Sequence, residues 1–172
     1  MIKAKLNNRT NGRSVYCHTP LDREKDSIRL IGILPELSND GLVECSLHLI
    51  QLCPGAADGA IDPSKSLLIP YICLSYTWGS SNDEGPILID GNILMVRQNL
   101  QTFLHIARIQ LHYGLLWIDA LCIDQANSAE RDHQVQRMGI IFAKAKMVLT
   151  WLGGDPELER PLHLLGQGDI TT

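Results

Sequence analysis

The stretch LLWIDALCIDQ (115–125) begins like a buried strand and ends like a polar loop. Residues 115–118 are apolar without interruption, which is typical of a strand covered on both faces. Asp119, Asp124 and Gln125 follow directly. Because ligands of open α/β sheets bind outside the carboxyl ends of the strands, these side chains stand where a site is expected. The stretch therefore predicts a central strand of an α/β sheet and one wall of a candidate site.

Amphipathic helices are predicted on both sides of this strand. NLQTFLHIARIQL (99–111) has apolar residues at helical spacing, and Asn99 is placed to be its N-cap. NSAERDHQVQRMGIIFAKAK (127–146) begins with Asn127 and Glu130 at the spacing of a capping box. The predicted buried stripe of this second helix consists of Val135, Met138, Phe142 and Ala145.

Further strands surround these helices. YICLSYTWG (71–79) and MVLTWLG (147–153) are apolar runs that end in glycine, and both read as buried strands. ILIDGNILMV (87–96) places Asp90-Gly91 between two β-prone arms, which predicts a tight hairpin. From residue 71 onward the order is strand, hairpin, helix, strand, helix, strand. That order predicts an α/β fold with a mostly parallel sheet and flanking helices.

The N-terminal part predicts a separate antiparallel β element. SIRLIGIL (27–34) and VECSLHLIQL (43–52) read as two strands joined by the turn SNDG (38–41). A loop rich in Gly, Pro and Ala (54–66) follows them and is the best internal boundary. We expect a flexible segment at 1–25, the folded domain at 26–155 and a tail at 156–172.

Composition excludes several classes of partner. The formal net charge is −4 and no basic stripe is present, so nucleic acid is not an expected partner. No apolar run is long enough for a membrane span. The cysteines are odd in number and form no CxxC pair, which predicts reduced thiols in a cytoplasmic protein and no metal site. The cysteines are Cys17, Cys45, Cys53, Cys73 and Cys122.

Polar residues at the predicted strand ends allow two interpretations. In the functional one they line a pocket. In the structural one Asp119 stabilises a turn, Asp124 and Gln125 bond loop amides, and Glu130 serves as a capping residue. The pattern alone leaves both interpretations open. The predicted binding residues are Trp78, Gly79, Asp119, Asp124, Gln125 and Arg131, and the carboxylate beside them is Glu130.

Three blocks in this order resemble the heterokaryon incompatibility (HET) domain of filamentous fungi. They are YICLSYTWG, ILIDGNILMVRQNLQTFLHIAR and LLWIDALCIDQANSAERDHQVQRMGIIFAKAKMVLTWLG, and the resemblance covers residues 28–153. It implies a role in non-self recognition, in which activation leads to growth arrest or programmed cell death when incompatible hyphae fuse. It also implies protein partners or self-association. Since family members are usually longer, the tail at 156–172 is expected to be truncated, and a degenerate inactive copy is an alternative.

The HET domain is regarded as a distant relative of the TIR domain, a flavodoxin-like fold. This relation implies a second alternative, an enzyme that cleaves NAD with a glutamate on the helix after the third strand. In this chain that helix would begin beyond Gly153, where Glu157 and Glu159 precede the helix-breaking Pro161. The resemblance therefore makes Glu130, one helix earlier, the expected catalytic carboxylate. NAD would then be a substrate, and no bound cofactor is implied.

Overall fold

The described residues form one seven-stranded sheet and three helices. The computed structural model describes residues 12–22, 26–52, 69–110 and 114–153. In chain order the elements are β1 (Ser27–Leu37), β2 (Val43–Gln51), β3 (Tyr71–Tyr76), β4 (Glu84–Ile89), β5 (Asn92–Arg97), α1 (Gln98–Gln110), β6 (Leu115–Trp117), α2 (Asp119–Cys122), α3 (Ser128–Lys144) and β7 (Met147–Trp151).

The strand order is β5-β4-β2-β1-β6-β3-β7, which confirms the α/β class but corrects the mostly parallel sheet. Strand β3 is parallel to β6 and β7, and β2 is parallel to β4. The pairs β1–β2, β1–β6 and β4–β5 are antiparallel. The sheet is mixed because the N-terminal pair is built into its centre instead of being appended. Strand β1 hydrogen-bonds to β6, so Ile31 lies opposite Leu116.

Helices cover both faces of this sheet. On one face Phe103 of α1 packs against Trp151, with ring centroids 5.8 Å apart. On the other face Phe142 of α3 packs edge-on against Trp117 at 5.6 Å. The two tryptophans pair with Tyr76 and Cys73 of β3, which are three residues apart and so point to opposite sides. The apolar runs of β3, β6 and β7 are explained by this double cover.

Local patterns predict two turns and the start of α3 correctly. Asp90 and Gly91 have φ of 48° and 77°, as a tight hairpin between β4 and β5 requires. The antiparallel pair β1–β2 is confirmed, and it turns at the predicted 38–41. Asn127 caps α3 and its side chain accepts a hydrogen bond from the Glu130 amide.

Most of the predicted buried stripe of α3 is confirmed. Ala145 is buried, and Met138 and Phe142 pack against the core, whereas Val135 is 51% exposed. The pattern missed Glu130, Gln134 and Ile141, which are also buried. The prediction that α1 is capped by Asn99 is also wrong, since the helix begins at Gln98.

The segment predicted to be flexible includes residues 12–22, which make specific contacts. Val15 forms an isolated parallel bridge to Ile93. The Tyr16 amide donates to the Ile93 carbonyl at 2.8 Å, and the Ile93 amide donates to the Ser14 carbonyl at 2.9 Å. The rest of the predicted flexible segment, the loop at 54–66 and the tail at 156–172 with Glu157 and Glu159 lie outside the described residues.

Within the described ranges, no helix is long and apolar enough to cross a bilayer.

Candidate functional site

The carboxyl ends of β3 and β6 meet at one rim, which is joined by a side-chain hydrogen bond. The indole Nε1 of Trp78 donates to Oδ2 of Asp119 at 3.1 Å. The other carboxylate oxygen of Asp119 accepts from the Ala120 amide at 2.7 Å. Trp78 follows the end of β3 and Asp119 follows the end of β6, and these two strands are parallel. This part of the predicted arrangement is therefore present.

A cation lies over the indole ring at this rim. The guanidinium carbon of Arg97 is 4.9 Å from the centre of the Trp78 ring, within the range of a cation–π contact. The same guanidinium donates from Nη1 to the Gly79 carbonyl at 2.9 Å. Gly79 has φ of 75°, a conformation that favours glycine, so the chain turns sharply under Arg97.

An asparagine connects the ends of β3 and β7. Asn99 donates from Nδ2 to the Thr77 carbonyl at 2.5 Å, and its Oδ1 accepts from Trp151 Nε1 at 2.8 Å. Arg97, Asn99 and Trp151 are rim residues that the sequence interpretation missed. Arg97 and Asn99 lie at the β5–α1 junction, and no local pattern indicates that this junction reaches the strand ends.

Asp119 carries an electrostatically unfavourable charge. Burial raises the pKa of its carboxyl above the ordinary 3.8, while the amide of Ala120 and the indole of Trp78 lower it in part. None of the ion pairs among the described residues involves Asp119. A carboxylate that is half-buried without a paired cation is suited to bind a hydroxyl or a cation, or to hold a proton.

Gln125 belongs to the same rim, whereas Asp124 and Glu130 belong to another network. The Gln125 amide donates from Nε2 to the Asp119 backbone carbonyl at 3.0 Å. Asp124 uses its carboxylate to accept from the Ala126 amide at 3.0 Å, as an Asx turn does. The short helix α2 separates the two networks, since it begins at Asp119 and ends at Cys122.

Glu130 forms a buried ion pair with Arg29 of β1. The pair is bidentate, with Nη1 to Oε1 at 2.5 Å and Nη2 to Oε2 at 3.0 Å. Glu130 also accepts from the Asp124 amide at 2.9 Å and the Leu21 amide at 3.3 Å. Although burial opposes it, hydrogen bonding to Arg29 and to these amides lowers the pKa of Glu130 to about 2.

The contacts of Glu130 suit a structural anion. All four hydrogen bonds to its carboxylate favour the charged form, and the side chain is almost completely buried. A general acid or base that works near neutral pH needs a pKa close to that pH. Its predicted catalytic role therefore stays a prediction that this geometry does not favour.

Arg131 points away from both networks. Its side chain is 45% exposed, and Nε lies 3.6 Å from Oδ1 of the neighbouring Asp132. Of the predicted binding residues, the structure thus brings together Trp78, Gly79, Asp119 and Gln125.

Thiol chemistry and metal binding find no support at this rim. Burial raises the pKa of Cys122, Cys73 and Cys45 to about 12, so these thiols stay protonated. In the described part of the chain, no three His, Cys, Asp or Glu side chains come together as a metal site would require.

Comparisons with known proteins point to one family. A family model described as heterokaryon incompatibility protein (HET) matches residues 71–166. A protein of Neurospora crassa described as heterokaryon incompatibility protein 6, OR allele, is 35% identical over 152 residues, which cover 80% of this chain and 20% of the relative. The chain therefore spans about a fifth of the length of that relative. No solved structure significantly matches this chain.

Proposed function

Because this chain belongs to the heterokaryon incompatibility (HET) family, we propose that it is a signalling module for non-self recognition in fungi. The observation that carries the proposal is the 35% identity to the Neurospora crassa incompatibility protein over 80% of the chain. The matched region includes the rim of Trp78 and Asp119 and all of α3. Its output would be growth arrest or cell death.

A chimera tests this proposal. The chain replaces the matched region of the Neurospora crassa protein, and strains that carry the chimera are fused with an incompatible partner. We expect an incompatibility reaction, measured as growth arrest and uptake of a vital dye. Normal growth after fusion, with the chimera present at the level of the parent protein, would contradict the proposal. A chimera that carries Asp132→Asn is the control for a substitution at an exposed position. It should give the same incompatibility reaction as the unsubstituted chimera.

We propose that the module acts in the cytoplasm through contacts with protein partners or with further copies of itself. Four described cysteines are free, and three of them are buried thiols, which is consistent with a reducing compartment. Sedimentation of the chain at increasing concentration tests self-association. A single monomeric species at every concentration would leave only partners of other sequence.

The second candidate function is cleavage of NAD at the rim, and the raised pKa of Asp119 favours it. A carboxyl whose charged form is disfavoured is the kind of group that catalysis recruits. Incubation of the purified chain with NAD should then release nicotinamide, and Asp119→Asn should abolish the release. Release that persists in this variant, or an absence of release from the natural chain, would exclude Asp119 chemistry on NAD.

A further inference from the structure

Residues 13–22 form an extended segment that crosses the molecule, and we refer to it as the strap. At its start the guanidinium of Arg13 pairs with Asp40 at 3.0 Å and donates to the Gly91 carbonyl at 3.2 Å. Backbone hydrogen bonds to Ile93 follow. The strap then reaches α2 and the Arg29–Glu130 pair, so it leads from β5 past β4 and β2 to β1 in the order of the sheet.

Hydrogen bonds hold the distal half of the strap to α2 and to the Arg29–Glu130 pair. His18 donates from Nε2 to the Leu121 carbonyl, with the two atoms 2.8 Å apart. The Thr19 carbonyl accepts from Arg29 Nη2 at 2.5 Å, and the Leu21 amide donates to Glu130 Oε2. Most of the strap's side chains are exposed, and few add apolar contact to the core. The exposed ones are Ser14, Val15, Cys17, Thr19, Pro20 and Asp22.

The apolar anchor of the strap is itself imperfect. Tyr16 packs against the core, but its buried hydroxyl has no hydrogen-bond partner among the described residues. A buried donor without a partner weakens the packing of the segment that carries it. Segments with few buried apolar contacts and solvent-accessible hydrogen bonds open at lower free energies than the core they cover. The strap makes few buried apolar contacts and its side-chain hydrogen bonds are only partly buried, whereas Leu121, Cys122 and Ile123 beside it are fully buried.

His18 is placed to sense protons at this contact. Its ring meets Tyr16 edge-on at 5.0 Å, and Nε2 is already committed to Leu121. The charged groups that act on it are Arg29 of β1, Asp124 of the α2–α3 loop and Glu130 of α3. Burial and then the nearby Arg29 lower the pKa of His18 below the ordinary 6.5, which outweighs the opposing effect of the two carboxylates.

We propose that the strap undocks from α2 and from the Arg29–Glu130 pair as a unit upon mild acidification, with His18 as the proton sensor, while the sheet stays folded. The docked strap favours neutral His18, so its docking free energy is complete above the undocked pKa of 6.5. The docking free energy then falls as the pH drops below that value. Undocking would uncover the buried α2 turn and offer a new apolar surface in response to pH.

Hydrogen exchange of the Ile93 amide reports this step directly, because that amide donates to Ser14 of the strap. We compare its protection at pH 7.5 and 5.5, corrected for intrinsic exchange, with that of the β3–β7 ladder. From the undocked pKa, we expect a loss of protection of up to about tenfold at Ile93 and none in the ladder. Protection at Ile93 that does not differ between the two pH values would overturn the proposal, and so would protection that falls equally in the ladder.

Two variants separate the sensor from the strap. His18→Gln keeps a donor for the Leu121 carbonyl but does not titrate, so the pH dependence at Ile93 should disappear. A pH dependence that survives unchanged would overturn the role of His18. Leu21→Pro removes the amide that binds Glu130, and Leu21→Ala is its matched control. Loss of this charge-assisted bond should raise opening at Ile93 by about 10- to 100-fold in Leu21→Pro. Equal opening in both variants would contradict the proposal that the strap undocks as a unit. Unchanged ladder protection verifies that each variant folds.

Discussion

Two carboxylates at opposite ends of the α2 region have opposite environments. Glu130 lies in a network with a bidentate arginine and two backbone amides, and its pKa falls to about 2. Asp119 has an indole and one amide as partners, and burial raises its pKa. The difference comes from Arg29, which β1 brings to one carboxylate and not to the other. A carboxylate with a complete set of partners holds the fold together, and one with an incomplete set is available for function.

This contrast explains why the rim divides into two. Strand β1 is inserted beside β6, so its arginine reaches the carbonyl of Cys122 at 2.9 Å as well as Glu130. The chain between Asp119 and Glu130 is thereby drawn to the β1 side at one end and to the β3 side at the other. The predicted single cluster of carboxylates becomes a structural centre and a separate, less satisfied rim.

Removal of Glu130 should produce the largest effect. Glu130→Ala leaves the guanidinium of Arg29 buried without its counterion, and Arg29 is 1% exposed. Breaking a buried pair in this way costs about 3–5 kcal/mol of unfolding free energy. Urea denaturation followed by circular dichroism measures the loss. A loss below about 1 kcal/mol would show that the pair is not the structural centre.

The pH dependence of stability should show the same pair. The folded pKa of Glu130 is lowered from 4.5 to about 2, so its contribution is complete above 4.5 and is lost as the pH falls through 2. The contribution is on the order of 3 kcal/mol. Unfolding free energies of the natural chain and of Glu130→Gln, measured between pH 7 and pH 2, should therefore converge at the acid end. Parallel curves would contradict the assigned pKa.

The sequence predicts what is encoded locally. The Asp90-Gly91 hairpin, the Asn127 cap and the apolar strand that ends at Trp117 are all readable within a few neighbouring residues. The same is true of Asp119 at a strand end. The pairing of Arg29 with Glu130 joins residues 101 positions apart, and it depends on where β1 enters the sheet. Polar type and spacing therefore predict a rim, but they do not predict which of its carboxylates acquires a counterion.

Asp119→Asn should change stability by no more than about 1 kcal/mol, because the lost hydrogen bond is offset by the removal of a half-buried charge. The sign of its pH dependence is opposite to that of Glu130. The folded pKa of Asp119 is raised, so its contribution is complete below 3.8 and is lost as the pH rises through the folded value. The stability of the natural chain relative to the variant should thus fall as the pH rises. A relative stability that rises with pH would remove the contrast between the two carboxylates.

The smallest effect is expected for the exposed ion pair next to Glu130 in sequence. Arg131 and Asp132 are 45% and 69% exposed, and their charged atoms are 3.6 Å apart. Solvent screens such a pair, so Asp132→Asn should change the unfolding free energy by less than about 0.5 kcal/mol. Urea denaturation beside Glu130→Ala measures both changes under the same conditions. A loss in Asp132→Asn comparable to that in Glu130→Ala would mean that the first turn of α3 is sensitive to any change of charge, and burial of the Arg29–Glu130 pair would no longer explain its effect.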